Sequence, residues 1–264
     1  MNVLAEIVAD TRAALARRRA ARPLEVVTQA ARERAGAGDR RSLRDALVLG
    51  GLSVIAEHKR RSPSAGLIRD GVPLTDVVRA YERAGARALS VLTEESRFGG
   101  SLADLEAARG ASSLPILRKD FIVDPYQVQE ALAGGADAIL LIVAALTGSE
   151  LRSLLALASE LGLDTLVEVH DRPQLDAAVD AGAQLVGINN RDLTTLQVDT
   201  RRTLQLREHA PADSIVVAES GFSTRAELDE LERAGVDGVL VGETLMRSPD
   251  IEAACRQLTG LRLA

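Results

Sequence analysis

The chain of 264 residues contains no tryptophan, two tyrosines, three phenylalanines and one cysteine. A single cysteine, Cys255, excludes a disulfide framework and any zinc site built on several thiolates; in its C-terminal helix it reads as a small core residue. There is no uninterrupted apolar run of about 18 residues, the length needed to cross a bilayer as a helix, so no membrane span is expected. The first residues read as a charged helix without the apolar centre of a signal peptide, and a cytoplasmic protein is expected. Positive charge is also short, with 32 Lys and Arg against 38 Asp and Glu. Nucleic-acid binders usually present a basic face, so no nucleic-acid partner is expected.

Lysine is scarcer still. Of the 32 basic residues only Lys59 and Lys119 are lysine; the rest are arginine. A bias towards arginine that is blind to chemistry can fill a surface, but it cannot replace lysine where a proton must be given and taken, because arginine stays protonated to above about pH 12. Lys59 closely follows the apolar run Leu52-Ser53-Val54-Ile55-Ala56, and Lys119 follows Pro115-Ile116-Leu117. Asparagine occurs only as Asn2, Asn189 and Asn190, the last two after Leu185-Val186-Gly187-Ile188. With so few aromatic residues the core has to be aliphatic. Phe98, Phe121 and Phe222 each fall just beyond a strand-like run, as residues lining a site would.

Repetition is what the sequence has in quantity. Strand-like runs rich in Val, Ile and Leu occupy residues 53–58, 88–93, 115–119, 138–143, 165–169, 185–189, 215–219 and 238–241. Near-continuous apolar runs are the pattern of parallel strands covered on both faces. Amphipathic helices lie between them, over 74–84, 149–161 and 224–234 among others, and Thr224 with Glu227 reads as a capping box. Gly85, Gly135, Gly182 and Gly235 each stand just before a strand, where a left-handed residue ends a helix. Eight strands alternating with helices predict a (β/α)8 barrel, and the length suits one such domain, 1–264. An open doubly wound sheet would favour a G-x-G-x-x-G turn after the first strand, and Glu57-His58-Lys59-Arg60-Arg61 is nothing like it. Residues 1–48 stand outside the repeat. Helices there, with an apolar face at Val3, Leu4, Ile7, Val8, Ala14 and Leu15, a second over 24–34 and a third over 42–47, are expected to form an N-terminal helical extension capping the barrel. Arg17-Arg18-Arg19 reads as a solvated helix face.

In a (β/α)8 barrel the site forms at the C-terminal ends of the strands. The first strand contributes Glu57 and Lys59, two apart and so on one side. The third contributes Lys119, with Phe121 on the same side; the fifth, Glu168; the sixth, Asn189 and Arg191; the seventh, Glu219. Lysines and glutamates gathered in one mouth perturb each other's proton affinity, the usual setting of acid–base catalysis, although a structural ion-pair network uses the same residues. Ser220-Gly221-Phe222 and Gly242-Glu243-Thr244 follow strands seven and eight, where barrels bind phosphate on backbone N–H groups. His58, His170 and His209 have no partner at metal-ligand spacing and are read as non-catalytic, with His58 turned towards the helices.

In order and spacing, a set of segments resembles the signatures of the indole-3-glycerol phosphate synthase family. They are Ala56-Glu57-His58-Lys59-Arg60-Arg61-Ser62-Pro63-Ser64-Ala65-Gly66, Leu117-Arg118-Lys119-Asp120-Phe121 with Asp124-Pro125-Tyr126-Gln127, Val167-Glu168-Val169, and Gly187-Ile188-Asn189-Asn190-Arg191-Asp192-Leu193. Ala218-Glu219-Ser220-Gly221 and Leu240-Val241-Gly242-Glu243-Thr244-Leu245-Met246 complete the set. The resemblance implies conversion of 1-(2-carboxyphenylamino)-1-deoxyribulose 5-phosphate to indole-3-glycerol phosphate, with loss of CO₂ and water and without metal or organic cofactor. It implies a catalytic set of Glu57, Lys59, Lys119, Glu168, Asn189 and Glu219, with Lys119 as general acid at the substrate carbonyl. Glu168 and the pair of Glu57 and Lys59 would move the later protons, and Glu219 would support substrate hydroxyls or orient a lysine. Arg191 would hold the substrate carboxylate, Pro63, Phe98, Phe121, Leu140 and Leu193 would wall the aromatic ring, and Ser62 would be a further substrate contact. Ser220, Gly221, Gly242 and Glu243 would hold the phosphate, Glu243 through its backbone N–H alone. The implied partner is one phosphorylated small molecule, and a monomer or weak homodimer is expected. Two other readings stay open: a Schiff-base aldolase with Lys119 as nucleophile, and a barrel that binds a metabolite without turning it over.

Overall fold

All eight apolar runs form strands: β1 (Ser53–His58), β2 (Ala88–Leu92), β3 (Ile116–Lys119), β4 (Ala138–Ile142), β5 (Asp164–Val169), β6 (Leu185–Asn189), β7 (Ile215–Glu219) and β8 (Gly238–Val241). The computed structural model describes residues 3–192 and 195–261. Every strand pairs parallel to its neighbours in chain order, and β8 returns to β1, with Ser53 opposite Gly238 and Ile55 opposite Leu240. Closure excludes the open doubly wound sheet and establishes the (β/α)8 barrel.

Side chains alternate along a strand, so each run serves two cores. Ile55, Leu117, Leu140, Leu166, Val217 and Leu240 pack with one another inside the barrel. Val54, Leu89, Ile139, Val167, Val186 and Val216 belong to a separate cluster shared with the surrounding helices. This double demand is why the runs are continuously apolar. Helices α4 (Leu74–Arg83), α5 (Leu102–Ala111), α6 (Pro125–Ala133), α7 (Gly148–Glu160), α8 (Arg172–Asp180), α9 (Arg201–Arg207) and α10 (Arg225–Arg233) follow strands β1 to β7 in turn. After β8 come the short α11 (Glu243–Arg247) and the longer α12 (Ile251–Thr259), which buries Cys255. The expected capping box joins Thr224 and Glu227, and a second joins Thr147 and Glu150. Gly85, Gly135, Gly182 and Gly235 adopt φ of 84°, 92°, 90° and 76°, the left-handed turn that hands each helix on to the next strand.

The N-terminal segment forms three helices, here αA (Val3–Ala21), αB (Leu24–Gly36) and αC (Leu43–Leu47). Leu43 and Leu47 join the interior cluster near the start of β1, where the Ser53 hydroxyl donates to the Leu47 carbonyl at 3.0 Å. Leu4 and Ile7 of αA join the same cluster at the mouth, and αB packs on α6. One run of arginines departs from expectation. Successive residues of a helix point about 100° apart, so three in a row cannot share a solvated face. Arg18 Nε donates to Glu130 Oε1 at 2.8 Å, and Arg19 pairs with Asp124 at 2.5 Å while lying over the Tyr126 ring at 5.3 Å. Of the three, Arg17 is the one left without such a tether, and the other two fix αA to α6.

The helix-ending glycines make a graded prediction. An alanine Cβ at Gly182 would have open space, so Gly182→Ala carries backbone strain alone, roughly 1–2 kcal/mol. At Gly135 the Cβ would also lie 2.9 Å from Arg109 Cγ, and Arg109 is held by Asp137 at 2.7 Å. Thermal unfolding should rank wild type above Gly182→Ala and Gly182→Ala above Gly135→Ala, at roughly 2–4 °C per kcal/mol. An unchanged melting temperature in Gly182→Ala would refute the strain argument.

Candidate active site

Inward positions near the C-terminal ends of β1, β3, β5, β6 and β7 bring Glu57, Lys119, Glu168, Asn189 and Glu219 to the wall of one cavity of about 350 Å³. Lys119 is its centre of charge. Its ammonium lies 3.1 Å from Glu168 Oε2 and 3.4 Å from Glu219 Oε2. Both carboxylates are almost fully buried, whereas the lysine side chain keeps 15% exposure and opens on the cavity. Beside it, Lys59 pairs with Glu57 at 2.7 Å, and the Ser90 hydroxyl of β2 donates to the other Glu57 oxygen at 3.3 Å. Two glycines make room for these acids. A Cβ at Gly187 would collide with Glu219 Oε1, and one at Gly242 would stand 2.5 Å from Glu57 Oε1.

One cation between two buried carboxylates cannot satisfy both. Burial works against the charged form of Lys119, but Glu168, Glu219 and Glu57 outweigh it and raise its pKa above the ordinary lysine value. Burial also works against the charge on Glu168, yet Lys119 and His170 pull its pKa below the ordinary carboxylate range. At Glu219 burial prevails over the attraction of Lys119, with Glu168 and Glu57 adding repulsion, and the pKa is pushed up to about 8. Glu219 Oε1 has no hydrogen-bond partner among the described residues, which further disfavours its anion. The mouth therefore holds a charged lysine, a charged glutamate and a glutamate that keeps its proton near neutrality.

An aromatic wall flanks the charges. Phe98 and Phe121 face the cavity as a tilted pair with centroids 6.2 Å apart, joined by Leu140 and Pro63. Their loops are fixed by buried acids: Glu94 accepts the Phe98 backbone N–H at 2.9 Å, and Asp120 accepts that of Phe121 at 2.8 Å. Asp120 is neutralised by the fully buried Arg118, 2.8 Å away, which also meets Glu130 at 3.0 Å. Ser62 closes the wall beside a two-stranded hairpin, Arg61–Ser62 with Gly66–Leu67.

The loops after β7 and β8 line the cavity with Ser220, Gly221, Gly242 and Glu243. Ser220 and Gly221 have φ of 65° and 98°, two left-handed residues in succession. Asn190 Nδ2 donates to the Ser220 carbonyl at 3.0 Å and holds this turn, and the Thr244 hydroxyl donates to the Phe222 carbonyl at 3.3 Å. The Glu243 carboxylate turns to Arg247 at 2.9 Å. Arg191 lines the cavity, with one guanidinium nitrogen donating to the Leu196 carbonyl at 3.0 Å.

Every expected site residue within the described range lines this cavity; Leu193 lies outside the described residues. His58 is buried away from the mouth, and burial, with Arg60 beside it, lowers its pKa to about 4. Four contributions escape the sequence reading. Val3, Leu4 and Ile7 of αA line the cavity, a role their apolar face alone could have signalled. Ser90 was readable only from strand parity, and Asn190 only from the scarcity of asparagine. His170 lies against Glu168 from outside the cavity lining, with Nε2 3.5 Å from Oε1. Among the described residues no group of three or more His, Cys, Asp and Glu could hold a metal ion, and no helix is long and apolar enough to cross a membrane.

Fold and site together define a (β/α)8-barrel enzyme with its ionisable groups gathered at the C-terminal mouth. A sequence profile described as "Indole-3-glycerol phosphate synthase" matches residues 4–258. The chain is 46% identical over 259 residues to "Indole-3-glycerol phosphate synthase 2" of Streptomyces coelicolor, covering 98% of this chain and 99% of that one. It is 48% identical over 264 residues to the indole-3-glycerol phosphate synthase of a Nocardioides species, covering 99% of each. With that of Dehalococcoides mccartyi strain CBDB1 it shares 52% identity over 208 residues, 78% of this chain and 80% of that one. The chain belongs to the indole-3-glycerol phosphate synthase family, carboxy-lyases of tryptophan biosynthesis. Among solved structures, thiamine phosphate pyrophosphorylase from Pyrococcus furiosus superposes with a TM-score of 0.61 at 19% identity, over 83% of this chain and 96% of that one. A tryptophan synthase alpha-subunit from the same organism does so with a TM-score of 0.61 at 18% identity, over 79% and 98%. These likenesses speak for the barrel fold.

The proton on Glu219 predicts a dependence of stability on pH. Its folded pKa of about 8 lies above the ordinary 4.5, so the folded state holds the extra proton and stability falls as pH rises through that window. Glu219→Gln removes the penalty. Its melting temperature should exceed that of wild type, by a gap that widens from about pH 5 to about pH 8.5. A gap that stays constant over this range would place the proton elsewhere.

Proposed function

We propose that this protein converts 1-(2-carboxyphenylamino)-1-deoxyribulose 5-phosphate to indole-3-glycerol phosphate, CO₂ and water. The observation that carries the reading is the charged Lys119 at the cavity wall, 3.1 Å from Glu168 and 3.4 Å from Glu219, between an aromatic wall and two glycine-bearing loops. The substrate has a matching layout: an aromatic carboxylate at one end, a ketone in the middle and a phosphate at the other.

The reaction needs protons moved in order. The ring carbon bearing the carboxylate attacks the ketone carbon, and Lys119 gives its proton to the ketone oxygen. The carboxylate then leaves as CO₂, and its bonding electrons restore the aromatic ring. Loss of the new hydroxyl as water takes up one proton, and loss of a proton from the neighbouring carbon forms the indole double bond. Glu168 and the pair of Glu57 and Lys59 carry these last exchanges, and proton transfers alone balance the sequence. Phe98, Phe121, Leu140, Pro63 and Ser62 hold the ring, with Leu193 a further candidate. Arg191 and Asn189 hold the carboxylate end and the groups beside it, and Glu219, neutral near pH 7, can donate to a substrate oxygen. Ser220, Gly221 and Gly242 receive the phosphate on backbone N–H groups, together with that of Glu243, whose own carboxylate is neutralised by Arg247.

A Schiff-base aldolase would need Lys119 as a neutral amine. Its raised pKa keeps it an ammonium, a proton donor and not a nucleophile. The same proposal takes 1–264 as one barrel domain with 1–48 as its cap, working in the cytoplasm as a monomer or weak homodimer.

The deciding experiment is turnover, followed by the fluorescence of the indole product; wild-type enzyme that forms none would end the proposal. Lys119→Arg should keep substrate affinity within a few-fold and lose about 10²–10⁴ in kcat, since arginine keeps the charge but gives up its proton poorly. Retention of more than about a tenth of kcat would remove Lys119 from the acid role. Ser220→Asp tests the phosphate loop. Aspartate tolerates the left-handed backbone there, so the fold should survive while KM rises steeply, and inorganic phosphate should compete with substrate in the wild type. A normal KM, or no competition at roughly tens of millimolar phosphate, would move the phosphate site away from these loops.

A further inference from the structure

Sequence spacing offers His170 no partner; the fold supplies two. On one edge of the ring Nδ1 lies 3.3 Å from Gln174 Oε1, and the same oxygen accepts the His170 backbone N–H at 3.0 Å. The Gln174 amide nitrogen donates to Asp171 Oδ2 at 3.2 Å. A backbone N–H can only donate and a carboxylate can only accept, so both ends of the Gln174 amide are oriented unambiguously. Its oxygen therefore faces the histidine, and Nδ1 must carry a hydrogen. On the opposite edge Nε2 points at Glu168 Oε1, 3.5 Å away, and it is buried without a hydrogen-bond partner among the described residues. With Nδ1 as the donor, a neutral ring presents a lone pair from Nε2 to a carboxylate oxygen. Two buried acceptors facing each other repel unless a proton lies between them.

We propose that His170 is a positioning residue of the active site, which holds one proton jointly with Glu168 between Nε2 and Oε1 and stores the further proton that Glu168 takes from the substrate. The inference rests on the proposed role of Glu168 as proton acceptor. In the step envisaged, the C–H electron pair of the substrate becomes part of the new double bond, and its proton passes to Glu168 Oε2. The proton already shared on the far side moves fully onto Nε2. The pair is then a neutral carboxylic acid and an imidazolium that donates from both nitrogens, Nδ1 to Gln174 and Nε2 to Glu168. It returns to its starting state by losing one proton to solvent. Holding the ring in one tautomer is what makes the exchange directional: Gln174 blocks Nδ1 as an acceptor, so Nε2 is the only seat.

Among the described residues the groups facing this pair are Lys119 of β3 at 3.1 Å, Asn189 of β6 and Glu219 of β7, with Glu57 of β1 acting on Lys119 and Glu219 behind them; Asp171 borders the histidine and is tied to Gln174. Lys119 and His170 together hold the Glu168 pKa down. Removing His170 leaves Lys119 and the Asn189 hydrogen bond against burial, and Glu168 should then bind its proton more tightly.

The first test needs no turnover. The chain has three histidines, His58, His170 and His209, so the set of ¹⁵N side-chain signals lost in His170→Asn is that of His170. In wild type near neutral pH, Nδ1 should be protonated and the Nε2 signal displaced from that of a free lone pair. Glu168→Gln should shift the Nε2 signal and leave those of His58 and His209 in place. A free lone pair at Nε2 that is indifferent to Glu168→Gln overturns the proposal, whatever the enzyme catalyses. The second test is kinetic. His170→Asn should lower kcat roughly tenfold, less than the ~10²–10⁴-fold loss expected of a group that transfers the proton to substrate itself. KM should change little, and the acidic limb of the kcat profile should move to higher pH. A loss equal at every pH, or one carried by KM, would make His170 merely structural. Absence of indole product from wild type would refute the proposed function while leaving the proton-sharing result standing.

Discussion

A single ammonium between two buried carboxylates is the constraint on which the rest of this molecule depends. Lys119 lies within 3.4 Å of both Glu168 and Glu219 at the mouth of the barrel, where both carboxylates are buried almost completely and solvent can do little to relieve the imbalance. Without the lysine two acids would face each other in a site of low polarity, a penalty of several kcal/mol for each uncompensated charge. Without one of the acids the lysine would be fully satisfied and the remaining acid simply ionised. The cluster is thus frustrated by composition, and it persists because the barrel around it is over-determined.

That over-determination can be traced through residues. The strands are locked to one another around a full circle, so the inward positions of β3, β5 and β7 cannot drift apart. The acids fit only because glycine stands at 187 and 242, where any side chain would occupy the space of Glu219 or Glu57. Behind Lys119, its outward neighbour Arg118 is buried between Asp120 and Glu130, so the strand end is charged on both faces yet compensated on both. Glu130 is also the residue that holds Arg18 of αA. The helix whose Leu4 and Ile7 line the cavity is therefore anchored to the same acid that pairs with Arg118 on the far side of β3.

The architecture was legible because each strand must be apolar on both faces, and a run of four to six such residues, in four cases preceded by a left-handed glycine that ends a helix, leaves little else to choose. The central residues were legible for a different reason. Arginine has displaced lysine everywhere except at Lys59 and Lys119, so chemistry that arginine cannot perform stands out against the background. Strand parity then put Glu57 inside and His58 outside. What escaped depended on pairs distant in the chain. The tethers of Arg18 and Arg19 to α6 are set by how αA lies against the barrel, which three consecutive arginines do not encode. The need for glycine at 187 arises from a carboxylate 32 residues away on the next strand. His170 and Glu168 are two residues apart in sequence, but the tautomer proposed to make their contact meaningful is set by Gln174, in the first turn of the following helix.

The same frustration gives the site its chemical range. If both of these carboxylates were ionised, neither could give a proton; if both were protonated, neither could take one. The shared cation breaks the tie. Glu168, with Lys119 on one side and His170 on the other, stays charged, while Glu219, with an oxygen that has no hydrogen-bond partner among the described residues, keeps its proton to about pH 8. Residues of one type, a few ångströms apart, are thus set to opposite protonation states at one pH, the arrangement by which a site offers an acid and a base together. The proposed reaction, which closes a ring, expels CO₂ and then loses water, calls for both in succession, and a scaffold that cannot let its two acids relax into the same state is suited to supplying them.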